Sequence, residues 1–217
     1  MDFPEWEPIY IDILKEFGYS REEDEAAARL LYSIAGSRSY APDILKSGIK
    51  GKDAIICGDS DSLGKELKIL EKSKKLDESR AVIITADEAT SVVMDFMLPD
   101  IIVTDLDGNV KDQISANGAG SIAVIHAHGD NIPAIEKYVP LFKGRVVLTT
   151  QSKPFEKVYN FGGFTDGDRA FLMARHFGAR KITLAGFDFE NPREKEGKDI
   201  ETKRRKLRWA KKLIEMG

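Results

Sequence analysis

Ile101-Ile102-Val103-Thr104-Asp105-Leu106-Asp107-Gly108 is the stretch on which the reading of this chain turns. A short β-branched run closed by polar residues and glycine reads as a strand buried on both faces, the kind that builds parallel sheets. Two carboxylates follow at its carboxyl end, and open α/β sheets bind ligands in the crevice beyond those ends. The pattern recurs in Ile122-Ala123-Val124-Ile125-His126-Ala127-His128-Gly129-Asp130-Asn131. Grouped carboxylates repel one another unless protonated or bridged by a cation. Hard oxygen ligands suit Mg²⁺, which commonly also holds substrate phosphates. The local chemistry therefore points to a metal-assisted phosphate enzyme.

Outward from that stretch, apolar runs at 54–57, 81–85, 101–104, 121–125, 145–149 and 181–185 read as strands. Helical patterns at 63–74, 89–97, 132–141 and 168–177 separate most of them, and an amphipathic helix is expected over about 199–216. Alternation of this kind predicts an α/β fold: an open, mostly parallel sheet of about six strands with helices on both faces. The segment 109–120 is short for a crossover and its periodicity leaves its structure undecided. Upstream, Trp6, Ile9, Ile13, Leu14 and Phe17 recur at helical spacing, and Ser20 with Glu23 forms a capping-box pattern. No strand pattern occurs there, so residues 1–50 are read as an N-terminal helical cap and 51–217 as the catalytic α/β domain.

The composition narrows the setting. With 217 residues, 42% of them hydrophobic, the chain can bury one sizeable core. A net charge of −3, from 33 basic and 36 acidic residues, carries no nucleic-acid footprint. The single Cys57 excludes an intramolecular disulfide and fits a reducing compartment. The start, Met1-Asp2-Phe3-Pro4-Glu5-Trp6, lacks a signal peptide's basic and apolar regions, and no apolar run approaches a bilayer span. A cytoplasmic protein acting on small molecules is expected, with a homo-oligomer compatible with the sequence.

Each motif has a plain reading beside the functional one. Cys57-Gly58-Asp59-Ser60-Asp61-Ser62-Leu63 leaves a strand and enters a helix, so Gly58, Ser60 and Ser62 could cradle phosphate, or Asp61 or Ser62 could merely cap the helix. It lacks the Gly-Lys-Ser/Thr ending of a P-loop. Asp87, after the next strand, could accept from a ribose hydroxyl or cap the helix behind it. Asp105 and Asp107 would point the same way if the backbone stayed extended, and a metal site is favoured there over a cap. His126 and His128 lack a third nitrogen or sulfur ligand for zinc. They read as phosphate partners or loop-orienting groups, with Asp130 the better hard-metal ligand. Asn160-Phe161-Gly162-Gly163-Phe164-Thr165-Asp166-Gly167-Asp168-Arg169-Ala170 combines close-approach glycines, stacking rings and acids, and reads as a binding loop that orders over ligand. Its plain alternative is a loop whose phenylalanines plug the core. Gly186-Phe187-Asp188-Phe189 sets another acid at a strand end, and the basic run from Lys203 to Lys212 is a solvated face from which one or two side chains could reach a triphosphate.

Taken in order, these motifs resemble those of the archaeal 6-hydroxymethyl-7,8-dihydropterin pyrophosphokinases, which are distantly similar to thiamin pyrophosphokinases. The resemblance spans the chain, from Trp6-Glu7-Pro8-Ile9-Tyr10 through Pro99-Asp100 and the Asp105–Gly108 motif to 126–131, 161–170 and 184–189. It implies ATP as diphosphate donor, a reduced pterin alcohol as acceptor, AMP as the second product, Mg²⁺ as cofactor and a place in pterin cofactor synthesis of the folate or methanopterin kind. By the same resemblance, Asp105, Asp107 and Asp130 would be catalytic and hold the metal. Gly58, Ser60, Ser62, Asp87, His128 and Lys206 would bind ATP. Phe161, Gly162, Gly163, Phe164, Thr165, Asp166 and Asp188 would bind the pterin. Asp61 and Glu88 depart from the proline and glycine usual at those positions, and both add negative charge. Two rivals carry weight on sequence alone. Val103-Thr104-Asp105-Leu106-Asp107-Gly108 also looks like the nucleophile motif of haloacid-dehalogenase-type phosphatases, although that motif normally opens its domain. A non-catalytic nucleotide- or metal-sensing domain is the other.

Overall fold

A computed structural model describes residues 1–76, 81–191 and 199–217. Its centre is a sheet whose described strands are β1 (Asp53–Cys57), β2 (Ala81–Ala86), β3 (Ile101–Thr104), β4 (Ile122–Ala127), β5 (Val146–Thr150), β6 (Val158–Tyr159) and β7 (Lys181–Ala185). Every pairing is parallel, in the order β6-β5-β4-β3-β2-β1-β7. The chain steps outward from β1 to β6 and then returns, so β7 lies on the other side of β1. That reversal sets the switch point between β1 and β7, where the turns at their carboxyl ends border a crevice.

Because both faces are covered, the strands alternate between two cores rather than between core and water. Ala54, Ile56, Val82, Ile84 and Val103 face α3 (Asp43–Ile49) and α8 (Asp166–His176). Ile55, Cys57 and Ile83 face α4 (Leu63–Lys72) and α5 (Ala89–Met94). Further along that second face, Ala123, Ile125 and Leu148 pack with α2 (Arg21–Ala35), α6 (Val110–Ala119) and α7 (Ile132–Tyr138). Outside α8 lies a third layer: Trp6, Tyr10 and Ile13 of α1 (Phe3–Phe17) meet Phe164, Leu172 of α8 and Leu213 of α9 (Ile200–Met216). The N-terminal helices thus share cores with the elements of the sheet.

The architecture agrees with the sequence reading, with local differences. A seventh strand, β6, is only two residues long, too short for an alternating pattern to register. Segment 109–120 forms α6, whose inward face carries the buried amides Gln113 and Asn117. Asn117 donates to the carbonyls of Ser121 and Arg145, so the helix faces the sheet with hydrogen bonds where an apolar stripe is usual. The expected helix over 132–141 ends at Tyr138 and tightens into a 3₁₀ turn containing Pro140.

Candidate active site

One cavity of about 830 Å³ opens at the carboxyl ends of the strands. The turns after β1, β2, β3, β4 and β7 supply its floor, and the start of α8 and one side of α9 supply its walls. Gly58, Ser60, Ser62, Asp87, Asp105, Asp107, His128, Asp130, Phe164, Thr165, Asp166, Asp188 and Lys206 all line it. Of the residues expected at the site, Phe161, Gly162 and Gly163 do not.

The acids meet because β2 and β3 are neighbours. Asp87, Asp105 and Asp107 each offer a carboxylate oxygen within 4.8 Å of the others. Asp130 is exposed on the same cavity and stands outside that trio. The convergence of Asp105 and Asp107 does not come from an extended backbone. Leu106 between them takes φ +68°, its N–H bonded to the Thr104 hydroxyl, and the chain turns so that both carboxylates reach the cavity. Left-handed backbone is unfavourable for a leucine, and its burial at 3% exposure helps hold it there. Asp87 is also left-handed, at φ +43°, a conformation aspartate tolerates better.

Asp87 caps no helix. Its Oδ1 accepts from the Thr104 hydroxyl at 2.7 Å and the Gln113 amide at 2.8 Å. Its Oδ2 lies over Gly108, where an added Cβ would fall only 2.1 Å away. Gly108 is therefore required by the close approach of the carboxylate. Burial, reinforced by the charges of Asp105 and Asp107, pushes the Asp87 carboxyl up to about 8.

Asp105 is held the other way. Burial alone would raise its carboxyl, but the His128 hydrogen bond and the charges of His128, Arg169 and Lys206 prevail and hold it well below the usual range. His128 Nδ1 accepts from the Asp130 N–H at 3.3 Å, which leaves the proton on Nε2, 3.4 Å from Asp105 Oδ2. Arg169 Nη1 approaches the same oxygen at 3.9 Å and Asp166 Oδ1 at 3.0 Å. Asp105 Oδ1, in contrast, is buried with no hydrogen-bond partner among the described residues. A buried carboxylate oxygen without a partner, within reach of two more carboxylates, fits a hard cation. The donor set suits Mg²⁺, and among the described residues no thiol or imidazole joins the trio.

Around this centre the expected residues differ in their engagement. Ser60 and Ser62 share a hydrogen bond of 2.6 Å, and Ser62 donates to Glu66 at 2.5 Å. The Gly58 and Ser60 N–H groups are already bonded to the Ala185 and Gly186 carbonyls. Asp188 accepts from the backbone of Asn191 and Glu190, which keeps its carboxyl below the usual range. Lys206 comes over the Tyr19 and Phe164 rings at 5.6 and 5.7 Å. The Phe164 ring, 6% exposed, packs at 5.1 Å from Phe17. Asp168, fully buried, accepts from the Phe164 and Thr165 N–H groups and the Thr165 hydroxyl, tying the segment to α8. Phe161 sits in the core against Phe177 and His176. The rings expected to become buried on ligand are thus buried already. His126 also points inward, its Nδ1 3.1 Å from the Thr149 hydroxyl. Burial, then the Arg169 and His128 charges, hold it well below its ordinary range.

Sequence reasoning passed over Arg169, Gln113 and Asn131. Asn131 donates to the carbonyls of Asp105 and His126 and accepts from the His128 N–H, joining the β3 and β4 turns. Arg169 stood inside a quoted motif, and a lone arginine beside Asp166 and Asp168 was the available signal.

Comparison with known proteins agrees with this geometry. Residues 29–194 match the family model described as MptE-like 6-hydroxymethylpterin diphosphokinase. A 6-hydroxymethyl-7,8-dihydropterin pyrophosphokinase of Methanocaldococcus jannaschii is 38% identical over 99% of this chain and 95% of its own. Proteins of the same name from Methanothermobacter thermautotrophicus and Pyrococcus furiosus are 41% and 39% identical, over 87% and 99% of this chain and 79% and 94% of theirs. With carboxylates gathered at the strand ends and kinship along nearly its whole length, the chain belongs to the MptE-like 6-hydroxymethylpterin diphosphokinase family.

Proposed function

We propose that this protein transfers diphosphate from ATP to the hydroxymethyl oxygen of 6-hydroxymethyl-7,8-dihydropterin, releasing AMP, in the synthesis of a methanopterin- or folate-like cofactor. The observation that carries the reading is the Asp87–Asp105–Asp107 trio at the floor of a cavity with room for both substrates. Asp87, Asp105 and Asp107 would hold Mg²⁺, with Asp130 close enough to the cavity to hold one of its waters. When bound, Mg²⁺ supplies neutralisation of the phosphates and polarisation of the β-phosphorus. Phosphoryl-type transfer depends on in-line positioning and charge compensation, which are the tasks left to the chain. Lys206 brings a cation to the phosphates from α9, and His128 and Arg169 keep Asp105 oriented. Gly58, Ser60 and Ser62 border the nucleotide side. Asp87 serves ATP through the cation rather than through ribose. Thr165, Asp166 and Asp188 border the pterin side, with the edge of Phe164 beside the ring. ATP as donor also fits a cytoplasmic setting, in which the buried Cys57 stays reduced.

Phosphorus NMR of ATP with protein and Mg²⁺, with and without the pterin alcohol, tests the reading. Pterin-dependent AMP and a diphosphorylated pterin are expected. Release of inorganic phosphate through a trapped phospho-aspartate would favour the phosphatase reading instead, and no turnover at all would favour a sensor.

A further inference from the structure

The catalytic trio lies on one side of a buried network that begins in the N-terminal helices, upstream of the matched family region at residue 29. At its centre is Asp24, in the first turn of α2 and 2% exposed. Its Oδ1 accepts from the Gly129 N–H at 2.8 Å. Its Oδ2 accepts from the Gln151 amide at 2.8 Å and the Tyr10 hydroxyl at 2.6 Å. Burial and the Asp24 carboxylate hold the Tyr10 phenol well above its ordinary range, so it keeps the proton it donates.

Both arms end on Asp105. Gly129 stands in the turn His128-Gly129-Asp130, whose histidine reaches Asp105 Oδ2. That turn is pressed onto α2 so closely that a Cβ on Gly129 would fall 2.8 Å from the Glu23 Cβ. Through the other arm, Gln151 Oε1 accepts from Arg169 Nη2 at 3.4 Å, and Arg169 Nη1 faces the same Asp105 oxygen. The Gln151 backbone is itself pinned by the Trp6 indole at 2.8 Å. We infer that Asp24 is a positioning residue for the proposed diphosphate transfer: it holds the His128 and Arg169 side chains against Asp105 Oδ2, so that Oδ1 stays turned toward the cation site. The inference rests on that functional reading for its consequence in turnover, and on geometry alone for its consequence in metal binding.

Asp24→Asn is the direct test, because an amide nitrogen must then face either the Gly129 N–H or the Gln151 amide, both donors, and one arm is lost. Partners that orient metal ligands typically change affinity or activity by about 10- to 100-fold, so Mg²⁺ affinity by calorimetry and kcat should each fall at least about tenfold, with KM for the pterin unchanged. Tyr10→Phe removes the third hydrogen bond of Asp24 and neither arm. It should lower the melting temperature while leaving Mg²⁺ affinity and kcat at parental values. Parental Mg²⁺ affinity and kcat in Asp24→Asn would overturn the inference, as would an equal loss in Tyr10→Phe. If Asp24→Asn fails to fold, Gln151→Leu, which cuts only the Arg169 arm, carries the test, with weakened Mg²⁺ binding expected and parental binding overturning it. A parent that makes no pterin-dependent AMP would defeat the functional reading, while the calorimetric comparison would still decide the role of Asp24.

Discussion

Asp105 shows how two oxygens of one side chain take different duties. Oδ2 faces His128 and Arg169, whereas Oδ1 is buried with no hydrogen-bond partner among the described residues. Asp107, exposed at the cavity, complements it without supporting the core. Asp105→Asn and Asp107→Asn should each lower turnover by at least about 100-fold, the scale of losing a directed charge interaction in a transition state. Circular dichroism should show the fold retained in both. Near-parental activity at saturating Mg²⁺ would remove these residues from the metal centre. Gly108→Ala tests the neighbouring contact, since its Cβ would meet Asp87 Oδ2 at 2.1 Å and the Glu88 Cγ at 2.6 Å. Asp87 must then move, and the Mg²⁺ concentration for half-maximal rate should rise about tenfold. An unchanged Mg²⁺ requirement would mean that Asp87 is not a ligand.

The start of α8 does several jobs at once. Its capping box, formed by Thr165 and Asp168, fixes the segment carrying Phe164, and Arg169 in the same turn bonds the Phe164 carbonyl at 2.7 Å. A helix start secured this way needs no ligand to order it. Phe164 therefore behaves as a core aromatic with one edge on the cavity. Phe164→Ala should cost about 3 kcal/mol of stability in chemical denaturation, the usual loss for a deleted buried ring. The ratio of AMP to diphosphorylated pterin should not change. A raised ratio, with uncoupled ATP hydrolysis and unaltered stability, would restore the picture of an aromatic lid. The basic α9 meets the same layer, where Lys206 reaches the cavity across the Phe164 ring.

A cluster of mutually repelling acids weakens the molecule that carries it, and pH exposes the cost. Asp87 keeps its proton up to about pH 8 when folded, but an unfolded aspartate releases it near pH 4. Between those values the folded state binds more protons than the unfolded state, so stability falls as pH rises. Buried His126 acts in the opposite sense only below about pH 6.5, where the unfolded histidine becomes charged. The informative window is thus pH 6.5 to 8. In chelator, stability there should fall by about 1–2 kcal/mol, following the linkage slope of about 1.4 kcal/mol per pH unit. Mg²⁺ should reverse that fall, raising the melting temperature more at pH 8 than at pH 6.5, and Asp87→Asn should reduce the metal-free slope to the part set by Asp166, whose buried carboxyl is also held well above its ordinary range. A metal-free melting temperature that stays level across the window in the parent would show that Asp87 carries no such burden.

Much of this molecule is written locally. The β-branched run 101–104, its counterparts and the helical patterns between them specify a parallel α/β sheet, because a strand buried on both faces needs continuous apolar residues wherever it lies. Acids after those runs mark the ligand-binding edge for the same reason of local register. Strand order is not local. Only the pairing of β2 with β3 brings Asp87 to Asp105 and turns a candidate ribose acceptor into the third carboxylate of an acidic trio. The left-handed turn at Leu106 likewise depends on burial around it, and α6 escaped pattern reading because the amides Gln113 and Asn117 interrupt its inner face. Furthest from view was the network through Asp24, whose bond to Gln151 spans 127 residues. A polar side chain at one position looks like any solvated residue until tertiary packing removes its water and supplies its partners.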